Sequence, residues 1–194
     1  MTTSGTIRRR VASASAGTFF RPDDFVGAPS AIETTLSRMA SQGALTRVRR
    51  GLYWKGVDSR FGPGSPSARD VAIELSGDKG NGPSSWSASH VLGLTSQVPP
   101  VTDMTIVGRH APKAPAGIRF HTRTNLDRLK LSFYEIALIE VLRDWPLTSD
   151  SDWLRLRATV EEFGAKGLIN LDRVVKSSRS EPPKVRDLVH SLAA

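Results

Sequence analysis

SAIETTLSRMASQGALTRVRRGLYWKG, residues 30–56, reads as an amphipathic helix followed at once by a basic hairpin, and that pairing decides how the first part of the chain folds. Ile32, Leu36, Met39 and Ala40 fall on one helical face. Ala31, Thr34, Thr35, Arg38 and Ser41 fall mostly on another, small or hydrogen-bonding side chains with a single arginine. Ser30 followed by Glu33 has the spacing of a capping box, which predicts a helix start at about Ser30. Gly43 ends the helix. The segment from Ala44 then alternates Leu45, Arg47 and Arg49 against Thr46, Val48 and Arg50, with Gly51 supplying a hairpin turn.

Upstream, Ile7, Val11 and Ala14 predict a first helix, Phe19 and Phe20 a short strand entering the core, and Pro22–Phe25 a brief second helix with Asp23 and Asp24 in its first turn. The expected core is Phe19, Phe20, Phe25, Leu45 and Tyr53. Helix, helix, helix, hairpin is the order of a winged helix-turn-helix, whose third helix enters the major groove of double-stranded DNA while flanking cations hold phosphates. This assigns Ser30, Thr34, Thr35, Arg38, Arg47, Arg49, Arg50 and Lys55 to DNA binding, with Thr34, Thr35 and Arg38 at the base edges. Charge points the same way. Of the net +8, residues 1–56 carry nine basic and three acidic side chains, a surplus of six, and the remainder a surplus of two. A like-signed field over one small region favours a polyanion.

After Gly56 the run VDSRFGPGSPS reads as a linker over 57–66, placing a DNA-binding domain at 1–56 and a second domain at 67–194. The second domain is expected to be mainly helical α/β with a small sheet, so the whole is an α+β protein. Ala68, Val71, Ala72 and Leu75 predict a helix that stops at Gly77, with Ser67 and Asp70 as its cap. GDKGNGPS, residues 77–84, reads as a loop, and Ser85–Leu92 as a short helix. Thr102–Val107 and Ile118–His121 are candidate strands on either side of GRHAPKAPAG. LSFYEIALIEVLRDW, ended by Pro146, is the expected core helix, and Asp152–Phe163, Leu171–Ser177 and Pro183–Leu192 are three more.

The motifs GTFFRPDDF (17–25), the stretch quoted first, and SASHVLGLTSQVPP (87–100) together resemble the AbiEi-type antitoxins of bacterial abortive-infection toxin–antitoxin loci. The resemblance spans roughly residues 5–145. LGLTSQVPP, Leu92–Pro100, is its most specific part, since winged helices in general have nothing of the kind. It implies an antitoxin whose winged helix represses its own operon and whose second domain counteracts a nucleotidyltransferase toxin. Family roles carry over residue by residue only to Ser30–Gln42 and Arg47–Tyr53. Gln97 to Pro100 reads as an extended chain exit, because a residue before proline avoids the helical region.

Other classes find little support. The chain has no cysteine, so a disulfide framework, a thiolate metal site and a catalytic thiol are all excluded. His90, His110, His121 and His190 lack metal-ligand spacing, and no nucleotide-cradling or hydrolase motif is present, so no cofactor, metal or catalytic residue is expected. Glu135, Glu140 and Asp144, or Asp70 and Glu74, are conceivable nuclease carboxylates but read as solvated helix faces. A nuclease delivered by a winged helix, or a ligand-sensing transcription factor, is the alternative. No apolar run is long enough for a membrane span, and a cytoplasmic protein is expected. Repressors of this kind commonly occupy pseudo-palindromic half-sites as dimers or cooperative pairs, about one helical turn apart, ~34–36 Å.

Overall fold

The computed structural model describes residues 2–57, 64–77 and 79–194. It is a mixed helix-and-sheet protein with two compact units, Met1–Ser67 and Ala68–Ala194. Most of the expected linker, residues 58–63, lies outside the described residues, as does Asp78 in the 77–84 run.

In the first unit α1 spans Thr3–Ser13 and packs on α2, Pro29–Ser41. Between them come strand β1, Phe19–Phe20, and a 3₁₀ helix, Pro22–Asp24, which is the brief second helix expected from the sequence, with Asp23 and Asp24 in its first turn. β2 (Thr46–Arg49) and β3 (Leu52–Trp54) follow, and the sheet order is β1-β3-β2, all antiparallel. Gly51, at φ +73°, turns the hairpin in a conformation that side chains with a Cβ rarely adopt. A register shift between Arg47 and Arg49 breaks the regular alternation read from the sequence. Ile7, Val11, Phe20, Phe25, Ile32, Leu36, Met39, Leu45 and Tyr53 form one core, whereas Phe19 is only half-buried.

The start of α2 differs from expectation. Ala28 is the N-cap, in extended conformation and without a side-chain cap, and Pro29 is the first helical residue. Proline has no amide hydrogen to satisfy and its fixed φ suits a first turn, so the helix begins one residue before Ser30 without the Ser30–Glu33 box. Such a box stands instead at the start of another helix, in the second unit. At the head of α5 the Ser132 hydroxyl accepts from the Glu135 amide, and the Glu135 carboxylate accepts from the Ser132 amide at 2.7 Å.

The second unit contains α3 (Ala68–Ser76), β4 (Gly82–Pro83), α4 (Ser85–Val91), β5 (Thr102–Val107), β6 (Ile118–Arg123), α5 (Phe133–Asp144), α6 (Trp153–Ala165), α7 (Leu171–Ser177) and α8 (Pro183–Ala193). Its sheet runs β4-β5-β6, with β4 antiparallel and β6 parallel to β5. Gly82–Pro83 was expected to be loop. It pairs with Met104 and Thr105 because residue 82 has no side chain: a Cβ there would stand 2.5 Å from Ile136 Cγ2 on α5. Helix α5 is buried from Glu135 through Leu142 and organises the core of this unit.

Glu135 and Glu140 correct the sequence reading most sharply, since both are fully buried instead of solvated. A buried carboxylate needs cationic partners. Arg128, itself without solvent exposure, donates from Nη1 to Glu140 Oε1 at 2.6 Å and from Nε and Nη2 to Glu181 at 2.6 and 3.1 Å. Arg123 adds two hydrogen bonds to Glu140, and Arg143 one to Glu181. Glu135 takes the amide of Asn170 and the guanidinium of Arg173. Burial pushes the Glu140 and Glu181 carboxyls up, but the hydrogen bonds and charges of Arg123, Arg128 and Arg143 outweigh it and hold both below the ordinary 4.5.

Replacing Arg128 with Met is therefore expected to cost about 3–5 kcal/mol in denaturant unfolding, because two buried carboxylates lose their shared partner. Lowered folded values mean that the unfolded chain binds protons more readily, so this contribution is complete above about pH 4.5 and is lost as pH falls through the folded values. Asp144, raised above 3.8 by burial and then by Glu140, works in the opposite sense. A urea midpoint that drops from pH 5 to pH 3 in the native chain, with a smaller drop in Glu181→Gln, is the expected outcome.

Candidate nucleic-acid interface

Within the first unit, α2 and the β2–β3 hairpin enclose an open groove of about 730 Å³. Its helix wall is set by phase. At about 100° per residue, Thr34, Ser37, Arg38 and Ser41 share the side opposite Ile32, Leu36 and Met39, and all four are exposed. The hairpin wall supplies Arg47 and Arg50, also exposed, with Gly51 and Tyr53 behind them. Three guanidinium groups thus face one concave, hydroxyl-lined surface, which suits a ligand with repeated negative charge and hydrogen-bonding edges.

Of the residues singled out from the sequence, Thr34, Arg38, Arg47 and Arg50 meet at this groove. The other four do not line it. Ser30 is exposed on the first turn of α2, and Arg49 is half-buried on the hairpin. Thr35 is buried, and its hydroxyl donates to the Ala31 carbonyl at 2.7 Å. That position lies three residues after Ile32 and four before Met39, on the apolar side of the helix. Lys55 is committed elsewhere: its ammonium donates to the carbonyls of Val11, Ala12 and Ala14 at 2.9, 2.9 and 2.6 Å, neutralising the C-terminal end of α1. Ser37 was missed, although it shares the helical phase of Thr34 and Ser41, which would have found it. Tyr53 and Pro22 join through the tertiary fold and carry no local signal.

Elsewhere in the first unit, Arg8 and Arg9 are exposed on α1. The Arg10 guanidinium donates to the Asp24 carbonyl and lies 5.0 Å from the Phe25 ring centroid. In the second unit His121 Nε2 and Asp103 Oδ1 are 2.7 Å apart on neighbouring strands, and among the described residues no group of three or more His, Asp or Glu side chains has the geometry to hold a metal ion. Among the described residues no helix is long and apolar enough to cross a membrane.

No family model matches the chain, and no curated protein matches it. A solved structure does. The chain is similar in fold to the RV2827C protein from Mycobacterium tuberculosis. The match has a TM-score of 0.54 at 12% identity and covers 98% of this chain and 75% of RV2827C. At that identity the likeness to RV2827C is one of fold alone.

Lys55→Met is expected to lower the melting temperature of the chain through loss of about 1–2 kcal/mol of charge-assisted bonding at the end of α1. Arg47→Ala and Arg50→Ala, both exposed, should leave it within about 0.5 kcal/mol of the native value.

Proposed function

We propose that the first unit is a winged helix-turn-helix that binds double-stranded DNA, and that the chain is an antitoxin of the AbiEi type which represses its own operon. The single observation that carries the reading is the groove between α2 and the hairpin, into which Arg38, Arg47 and Arg50 converge. In this reading α2 is the recognition helix and the β2–β3 hairpin the wing. Arg38, on the helix, reaches a base edge, and Thr34, Ser37 and Ser41 complete the polar face. Arg47 and Arg50, on the wing, hold phosphates. The surplus of six positive charges in residues 1–56 supports it.

The second unit counteracts a nucleotidyltransferase toxin, as the resemblance over LGLTSQVPP implies, and the protein works in the cytoplasm without cofactor or catalytic residue of its own. Operator half-sites would be filled by dimers or cooperative pairs. The carboxylates of α5 weigh against the nuclease alternative: Glu140 and Glu135 are saturated by arginines, which leaves them poor ligands for a catalytic cation.

Fluorescence anisotropy of the whole chain against its own upstream DNA and a scrambled duplex, at two salt concentrations, tests the proposal. Preference for the upstream fragment is expected. Arg38→Ala should lose that preference and retain weak binding to any duplex. Arg47→Ala with Arg50→Ala should weaken binding to every sequence and flatten the logarithmic salt slope by about 2. In cells carrying the toxin, Arg38→Ala should derepress the operon and still restore growth. Equal or absent binding to both duplexes would sink the DNA assignment; loss of growth rescue in that variant would sink the division of labour between the units.

A further inference from the structure

One side chain in the groove has the wrong sign for a phosphate-binding surface. Glu33 lines it with Arg38, Arg47 and Arg50 and is exposed. Among the described residues its carboxylate has neither an ion-pair nor a hydrogen-bond partner. The fold gives it no other use. It lies past the first turn of α2, where an acidic group would favour the helix dipole, and the residues three and four positions on, Leu36 and Ser37, carry no charge to pair with it. The capping role suggested by the sequence is taken by the Ala28–Pro29 start.

Beside a phosphate this carboxylate would oppose binding. At a base edge it would do the reverse, because in the major groove cytosine presents an amino group that donates to a carboxylate, whereas guanine and thymine present acceptors that repel it and adenine sets its acceptor N7 beside its amino group. Glu33 sits in the N-terminal half of α2, the part of a recognition helix that reaches base edges. We infer that Glu33 is a specificity-determining residue that accepts a hydrogen bond from the exocyclic amine of a cytosine in the operator. The inference rests on the DNA-binding reading of the first unit. Glu33 contributes discrimination and no affinity: it excludes duplexes that would otherwise be held by the three arginines.

The test is a selection from duplexes randomised around the upstream DNA, followed by anisotropy titrations, using the full native chain, Glu33→Ala and Glu33→Gln. The native chain should prefer cytosine at one position by about tenfold over the other bases. Glu33→Ala should bind scrambled DNA at least as tightly as the native chain and lose that preference, and Glu33→Gln should move it towards adenine, which pairs with an amide. Glu33→Ala selecting the same cytosine, or binding all duplexes equally more weakly, overturns the inference while leaving DNA binding intact. A native chain that binds no duplex overturns the underlying reading, and the two failures are told apart by the native titration alone.

Discussion

A guanidinium removed from water has to be matched by carboxylates, and the second unit is arranged around one such match. Arg128 has no solvent exposure. Its partners come from distant parts of the chain, Glu140 from the middle of α5 and Glu181 from the turn that precedes α8, and Thr105 of β5 lies within 3.4 Å of its Nη1. Sheet, core helix and C-terminal helices are therefore required to arrive together. Hydrophobic residues of the same volume would pack as well and tolerate sliding, whereas five donor hydrogens in a fixed fork accept one arrangement of acceptors.

The first unit obeys a different constraint. Its core is apolar and contains no buried ion pair among the described residues, so what distinguishes its two sides is helical phase. The same 13 residues of α2 that bury Ile32, Leu36 and Met39 must present Thr34, Ser37, Arg38 and Ser41 outward. A hairpin turned by Gly51 then brings two arginines alongside, and the concavity is a by-product of packing a strand pair against a helix end.

Periodic and conformational signals were legible in the sequence. The α5 and α8 helices, the β5 strand and the Gly51 turn followed from apolar spacing, proline and glycine. Part of the candidate site followed as well, since helix phase puts Thr34 and Arg38 on the groove side; Arg47 and Arg50, which strict alternation sets on opposite faces, meet there where the register shifts between Arg47 and Arg49. What failed was decided by neighbours distant in sequence. Nothing local to Lys55 announces three carbonyls of α1, and nothing near Glu140 announces an arginine twelve residues earlier and another seventeen earlier. Thr35 differs, since its polarity suggests an outward position whereas its angle from Ile32 places it inward. Gly82 was missed because a two-residue strand has no period, and its pairing depends on the absence of a side chain facing Ile136.

The position of Glu181 in the chain sets an order of events during synthesis. A ribosome releases the protein from its N-terminus, and each unit folds when its last indispensable residue has emerged. The first unit has its whole core by Ser67. The second has its sheet and α5 exposed by residue 144, yet Arg128 lacks half of its counter-charge until Glu181 follows, 53 residues after it. The groove of the first unit is therefore complete well before the second unit, which stays open until Glu181 has emerged, and a product truncated before Glu181 would carry an intact first unit joined to an unfolded remainder.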